Sequence, residues 1–297
     1  MPVLGQNQYG KAATRVVRVA RAGATHQLTD LTVQVALSGQ LTEAHLVGSN
    51  AAVLPTDTMK NTVYVFARER GIASPEAFAA ELARHFVTSQ PTVERALVTV
   101  EEHRWERLAD HSFVRSGQET RTARVAYRAD RFEVLSGLTG LTVLNTTDSE
   151  FHGFARDAYT TLAETTDRVL ATEVTAVWRH TAQDAETIAA ADWNADYATA
   201  RERLLAAFSG TYSYSLQQTL FAMASAVIET LPGVAEMRLS LPNKHHFLAD
   251  LSPFGIANET GDGAVYLATE QPFGLIEATV LREGAEQRIP VELTSPA

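Results

Sequence analysis

The chain predicts an α+β fold made of two consecutive units, residues 1–137 and 138–297, each an antiparallel sheet with its helices on one face. Three observations lead there. Long stretches alternate apolar and polar residues, the period of half-buried strands. Between them lie stretches that open with helix-start residues and carry apolar residues at helical spacing. The order of hairpin, helices and hairpin then recurs after Ser136-Gly137, as a repeat of element order without residue-level identity.

The elements follow in order. Ala12 to Ala22 and His26 to Gln40 alternate through Val17 and Val19, then Leu31, Val33, Val35 and Leu37, and the turn Ala22-Gly23-Ala24 joins them as a hairpin. Thr56 or Asp57 is placed to cap a helix carrying Val63, Phe66 and Ala67. Ser74, with Pro75 at the first helical position, opens a second through Phe78, Leu82 and Phe86. Val93 to Leu108 and Thr122 to Leu135 read as two long strands. In the second unit, strands at Leu141 to Thr146 and Arg168 to His180 precede helices at Ala185 to Phe208 and Ser215 to Leu231, and strands at Val234 to Leu251 and Val265 to Arg282 close it. Open sheet edges need cover, and oligomerisation into a barrel is one way to provide it.

Composition narrows the chemistry. At 297 residues and 45% apolar residues the chain can bury a substantial core. No apolar run approaches the roughly 18 to 20 residues of a membrane-spanning helix, and the start MPVLGQNQYGK lacks the apolar stretch of a secretory signal, so a cytoplasmic protein off the membrane is expected. With no Cys, thiolate nucleophiles, disulfides and iron–sulfur clusters are excluded. A net charge of −10 argues against nucleic acid, whose binding needs clustered Lys and Arg, yet leaves room for a small anion held by one local cation. There is no Gly-rich dinucleotide fingerprint, no phosphate-binding loop and no helical His-Glu-x-x-His, so no cofactor or metal is expected.

The stretch Ser240 to Leu251 carries the most chemistry. As a strand it sets Asn243, His245 and Phe247 on one face and Lys244, His246 and Leu248 on the other. An amide that donates and accepts would then sit beside an imidazole that titrates near neutrality, which suits a small oxygen species and proton movement. Alternatively, Pro242-Asn243-Lys244 form a turn and the two His lie on the rim of an ordinary strand.

Collinear segments give the chain a resemblance. They are Tyr9-Gly10-Lys11, the run from Pro55 to Tyr64 (PTDTMKNTVY), His103-Arg104-Trp105, Gly140 to Leu144 (GLTVL), Glu150 to Phe154 (EFHGF), Tyr159 to Arg168 (YTTLAETTDR), Gln217 in SLQQT, LPNKHHF, and Gly274 to Thr279 (GLIEAT). Together they resemble the cofactor-independent urate oxidases, the uricase family, over nearly the whole chain. The resemblance implies two tandem tunnelling-fold (T-fold) units, a homotetramer enclosing a tunnel, and purine catabolism: urate, molecular oxygen and water yield 5-hydroxyisourate and hydrogen peroxide without metal or organic cofactor. The ending Thr294-Ser295-Pro296-Ala297 departs from the Ser-Lys-Leu address of peroxisomal members, which leaves the cytoplasm.

The same resemblance implies roles residue by residue. Arg168 offers a planar fork to an anionic edge of urate, Gln217 reads another edge, and Phe151 stacks on the purine. Gln218 beside Gln217 leaves open which amide faces the pocket, though the motif spacing favours Gln217. Leu162 and Leu216 line the pocket through apolar or backbone contacts, and Asp57 orients its loop or contacts substrate through its backbone. Lys11, Thr56 and His245 form a proton relay, and Asn243 holds oxygen and then water above the purine plane. Active sites lie between subunits, with Lys11 and Thr56 from one chain and Phe151, Arg168 and Gln217 from its neighbour. The rival readings are a tunnelling-fold enzyme acting on pterins or guanine nucleotides, and a purine-binding protein without catalysis.

Overall fold

The computed structural model describes residues 2–294, the side chain of Glu270 excepted. Met1 and Ser295–Ala297, on which the readings of the two chain ends partly rest, lie outside the described residues. The chain forms two compact units. The first runs to Gly137 and takes in Arg179–Tyr197, while the second comprises Leu138–Trp178 and the chain from Ala198 onward.

In the first unit β1 (Tyr9–Ala20) and β2 (Gln27–Gly39) form the expected antiparallel hairpin, beginning three residues earlier than the alternation indicates. A one-turn α1 (Thr42–Leu46) leads to α2 (Thr56–Glu69) and α3 (Pro75–Ser89). Then come β3 (Val93–Glu102), a small separate hairpin of β4 (Trp105–Ala109) and β5 (Ser112–Arg115), β6 (Thr120–Arg128), and β7 (Arg131–Asn145), which continues into the second unit. The sheet order is β1-β2-β3-β6-β7. Alternation buries Leu31, Val33, Val35 and Leu37 of β2 with Val98, Val100 and Val125 against Phe78, Leu82 and Phe86 of α3. Each large apolar side chain so covered contributes about 1.5–3 kcal/mol.

Three expectations for the first unit need correction. Val93 to Leu108 is two strands, because the chain turns away at a buried carboxylate. Asp30 accepts both guanidinium bonds of Arg15 at 2.6 and 2.7 Å and the Trp105 indole N–H at 2.9 Å, while its carbonyl takes the His103 N–H at 2.8 Å. Thr122 to Leu135 is also divided. Ala129 and Asp130 both have positive φ, 48° and 60°, the pairing of a type I′ turn made here without Gly, and the strand that follows, β7, runs through Ser136-Gly137. Finally, α2 begins from Pro55 with no side-chain cap, so neither Thr56 nor Asp57 caps it. Ser74 caps α3 as expected, accepting from the Ala77 N–H at 3.1 Å.

The second unit holds the rest of β7, β8 (Leu170–His180) up to Trp178, β9 (Val234–Leu248) and β10 (Tyr266–Leu281), with β9 and β10 antiparallel and α6 (Leu216–Thr230) packed on both. The stretch expected as one helix from Ala185 to Phe208 is two, α4 (Ala185–Ala190) and α5 (Trp193–Gly210). Asp184 caps the first, and Asp192 starts a new turn by accepting from the Ala195 N–H at 3.1 Å. A buried polar cluster fastens Arg179–Tyr197 to the first unit. Glu76 accepts from Arg121 and from the Ser136 hydroxyl, both at 2.7 Å, and Ser136 Oγ lies 2.9 Å from His180 Nε2. Arg121 also donates to the Trp193 carbonyl at 3.0 Å and to Asn194 at 2.8 Å. Burial raises the Glu76 carboxyl and lowers His180 to about 4, so the imidazole is neutral at pH 7.

Gly10 marks a close approach: a Cβ there would lie 1.9 Å from the Val35 carbonyl oxygen and 2.9 Å from the Ala36 Cα, backbone atoms that cannot swing aside. Gly10→Ala is therefore expected to destabilise the protein by about 1–3 kcal/mol or more, whereas Gly5→Ala, with nothing within 4 Å, stays within about 0.5 kcal/mol. Equal denaturation midpoints for the two variants would contradict this packing.

Candidate active site

In the first unit the sequence-predicted residues are Lys11, Thr56 and Asp57. Lys11 sits at a bulge in β1, where the register with β2 breaks between Lys11 and Thr14 and Ala13 adopts φ 52°. Bulges re-aim the side chains beside them. The Tyr9 hydroxyl accepts the Leu54 N–H at 2.8 Å, which ties β1 to the approach of α2. Thr56 is the first residue of α2, and its hydroxyl has no hydrogen-bond partner among the described residues. The backbone N–H groups of Thr56 and Asp57 likewise lack acceptors, as the first amides of a helix do, and present partial positive charge. The Asp57 carboxylate receives bonds from Lys60 and Asn61 and feels the Lys11 charge; the Lys60 hydrogen bond is the largest cause holding its pKa below the ordinary value.

In the second unit the strand reading of LPNKHHF holds. The rings of His245 and Phe247 stack at 5.6 Å on one side, while Lys244 pairs with Glu173 at 2.9 Å. Burial falls away along β9: Val234 to Leu241 are buried, and Pro242 to His246 are half-exposed. Opposite Lys244 the partner strand loops out, because Thr269 pairs with His245 but Gly274 pairs with Asn243. Gly274 leaves open space beside Asn243, since a Cβ there would meet only Ile276 at 3.9 Å. The Asn243 amide has no hydrogen-bond partner among the described residues.

Arg168 is half-buried. Its Nε–H donates to Ser149 Oγ at 3.1 Å, its guanidinium carbon lies 5.3 Å from the centre of the Phe151 ring, and its charge reaches His245. Phe151 in turn stacks on Phe154 at 5.0 Å and 14°, and its backbone bridges to Thr165. Burial is the main cause that lowers His245 from its ordinary pKa, followed by the charge of Arg168 and repulsion from the neighbouring imidazole, which leaves a neutral ring able to take a proton at pH 7.

The helix start at α6 divides its two amides. Gln218 closes the cap, its backbone N–H donating to Ser215 Oγ at 3.2 Å and its side-chain oxygen accepting from the Tyr214 N–H at 2.9 Å. Gln217 is exposed with no such bond, which leaves its amide available for a ligand. Leu216 is 2% exposed, so what it can offer a ligand is its backbone N–H rather than its side chain. Leu162 is 51% exposed on the loop before Arg168.

The structure thus gathers Phe151, Arg168 and His245 in the second unit, with Asn243 on the His245 face, and Lys11, Thr56 and Asp57 in the first. Spacing carries no sign of Ser149, which is fully buried under Arg168, nor of Gly274 opposite Asn243. Among the described residues no group of three or more His, Asp or Glu side chains is arranged to hold a metal ion, and no helix is long and apolar enough to cross a membrane.

A family model described as Uricase matches residues 7–126 and 134–277. The chain is 47% identical over 291 residues to a uricase of Arthrobacter globiformis, spanning 97% of this chain and 93% of that protein. A uricase of Aspergillus flavus is 34% identical over 295 residues, spanning 95% and 98% respectively. The crystal structure of the Arthrobacter globiformis uricase superposes with a TM-score of 0.93 at 47% identity, over 99% of this chain and 100% of that one. The urate oxidase of Bacillus sp. TB-90 has the same fold at 20% identity, with a TM-score of 0.79 over 93% and 100%.

The His245 environment is open to direct test by NMR titration of its ring. The ring is expected to titrate below 6.5 and to move upward in Arg168→Gln, which removes one of the cations that lower it. A native value at or above 6.5, or no response to the substitution, would contradict the described cluster.

Proposed function

The chain belongs to the uricase family, and on that footing we propose how its residues carry out the family reaction. Urate gives up two electrons to molecular oxygen, water supplies the new hydroxyl, and the products are 5-hydroxyisourate and hydrogen peroxide, a step of purine breakdown. The gathering of Phe151, Arg168 and His245 in one unit carries the residue-level reading.

Arg168 and Gln217 hold two edges of the flat anion, and Phe151 stacks on its face. Charge-assisted bonds from a guanidinium suit a planar oxyanion edge, and stacking adds about 0.5–1.5 kcal/mol beyond area burial. The open amides of Thr56 and Asp57 on α2, and of Leu216 on α6, supply further donors to an anion. Urate must lose protons before it releases electrons. Lys11, Thr56 and His245 pass them: the neutral imidazole accepts, and the free Thr56 hydroxyl relays without holding charge. Asn243, unbonded and with open space beside Gly274, holds oxygen and afterwards water above the purine plane. An electron-rich urate anion reduces oxygen itself, so the protein works by positioning and needs neither metal nor organic cofactor.

We place the working site between subunits of a homotetramer, with Lys11 and Thr56 from one chain and Phe151, Arg168 and Gln217 from its neighbour. What supports this is the open sheet edges: β1 and β10 are terminal strands, with Val17 and Val19 exposed on the first and Leu267 on the second. Two tandem tunnelling-fold units, 1–137 and 138–297, closing with their partners into a barrel complete the reading, which rests on the repeated element order. A cytoplasmic location accords with a substrate formed by purine breakdown inside cells.

Two experiments test these roles. Asn243→Ala is expected to keep urate binding within about threefold while losing turnover by about 100-fold or more, the pattern of a group that acts on oxygen rather than on urate. Unchanged turnover would remove Asn243 from the mechanism. Refolding a mixture of Thr56→Ala and Arg168→Gln chains is expected to restore activity that neither has alone, because a hybrid pair contains one intact site. No recovery in demonstrably mixed oligomers would place the whole site within one chain.

A further inference from the structure

Arg168 can serve as a fork only if its plane is fixed before a ligand arrives, since a free side chain would lose several rotatable bonds on binding. One residue fixes it at two points. The Arg168 backbone N–H donates to the Ser149 carbonyl at 2.9 Å, and its Nε–H donates to the Ser149 hydroxyl at 3.1 Å. Both terminal guanidinium nitrogens remain without a hydrogen-bond partner among the described residues.

Ser149 is itself immobilised. It is 0% exposed and lies between two backbone bonds to one residue, Glu150 N–H to the Ser213 carbonyl and Ser213 N–H to the Asp148 carbonyl, each 2.9 Å. Ser213 is also 0% exposed, and its hydroxyl accepts from Thr219 Oγ1 at 2.8 Å, on the first turns of the helix that presents Gln217. A buried chain of short-range bonds therefore runs from the holder of Arg168 to the start of α6.

We propose that Ser149 is the positioning residue for Arg168 in substrate recognition. By taking Nε–H, its hydroxyl turns the two terminal nitrogens outward as the edge offered to the purine, and its bridge to Ser213 sets the spacing between that edge and the Gln217 amide. Ser149 touches no substrate and acts only through Arg168. The proposal rests on Arg168 as the urate-holding residue.

Urate affinity measured by calorimetry in oxygen-free buffer tests it, on native protein, Ser149→Ala, Arg168→Lys and the double variant, with KM and kcat measured in air for the first two. Ser149→Ala is expected to weaken urate binding and raise KM by about tenfold with kcat within about twofold, because an orienting bond serves ground state and transition state alike. Lysine has no planar Nε–H edge to orient, so in the Arg168→Lys background the same change is expected to alter affinity by less than about twofold. Unchanged affinity in Ser149→Ala, or an equal loss in both backgrounds, overturns the proposal. Should Ser149→Ala not fold, Ser149→Cys keeps the shape with a poor acceptor and is read by the same criteria. Native protein that neither binds nor oxidises urate removes the reading beneath the proposal and the proposal with it, whereas an active enzyme indifferent to Ser149 removes the proposal alone.

Discussion

One-sided cover of an antiparallel sheet governs where everything else can be. Side chains along a strand alternate between faces, so helices packed on one face bury every second residue and leave the others for another use. Leu31, Val33, Val35 and Leu37 of β2 are no more than 2% exposed, while the intervening Thr32, Gln34 and Ala36 lie outside that core. Along β9 the alternation gives way to cover on both faces, with Glu236 accepting the Arg288 and Ile289 N–H groups and Arg238 donating to the Val291 carbonyl. Its first eight residues are buried, and the proposed site residue Asn243 stands just where the burial ends.

What distinguishes the proposed functional groups from their neighbours is hydrogen-bonding capacity left open. Gln218 closes the α6 cap and Gln217 does not; Asp57 holds its carboxylate to Lys60 and Asn61 while its backbone amide stays free; Arg168 gives Nε–H to Ser149 and keeps its terminal nitrogens. In each place one bond fixes a side chain or a backbone and another remains for a ligand. The half-buried setting of Arg168 raises the worth of its donors, because a charge-assisted bond is roughly twice as strong as a neutral one and strengthens further away from bulk water.

Much of the fold was legible because its signals are local. Ser74 with Pro75 set the start of α3, and the alternation in LPNKHHF separated the His245 face from the His246 face. The misses share a cause of the opposite kind. The strand after Val93 ends because Asp30, far away in sequence, draws in His103 and Trp105, and the turn at Ala129-Asp130 adopts positive φ without the Gly that announces it. For the proposed site, periodicity singled out Asn243 and His245, whereas Lys11, Thr56, Phe151, Arg168 and Gln217 were named only through resemblance to a family. Ser149 was not legible at all, since a buried serine between acidic residues looks like any loop position until its guanidinium partner is in view.

The most direct measurement is the loss of urate absorbance in air by chelator-treated protein, with peroxide assayed in parallel. Steady urate loss with one peroxide formed per urate is the result expected of an oxidase in which protein side chains alone position the anion, the oxygen and the protons. Folded, tetrameric protein that leaves urate untouched, or that turns it over only after metal is added back, would contradict that mechanism.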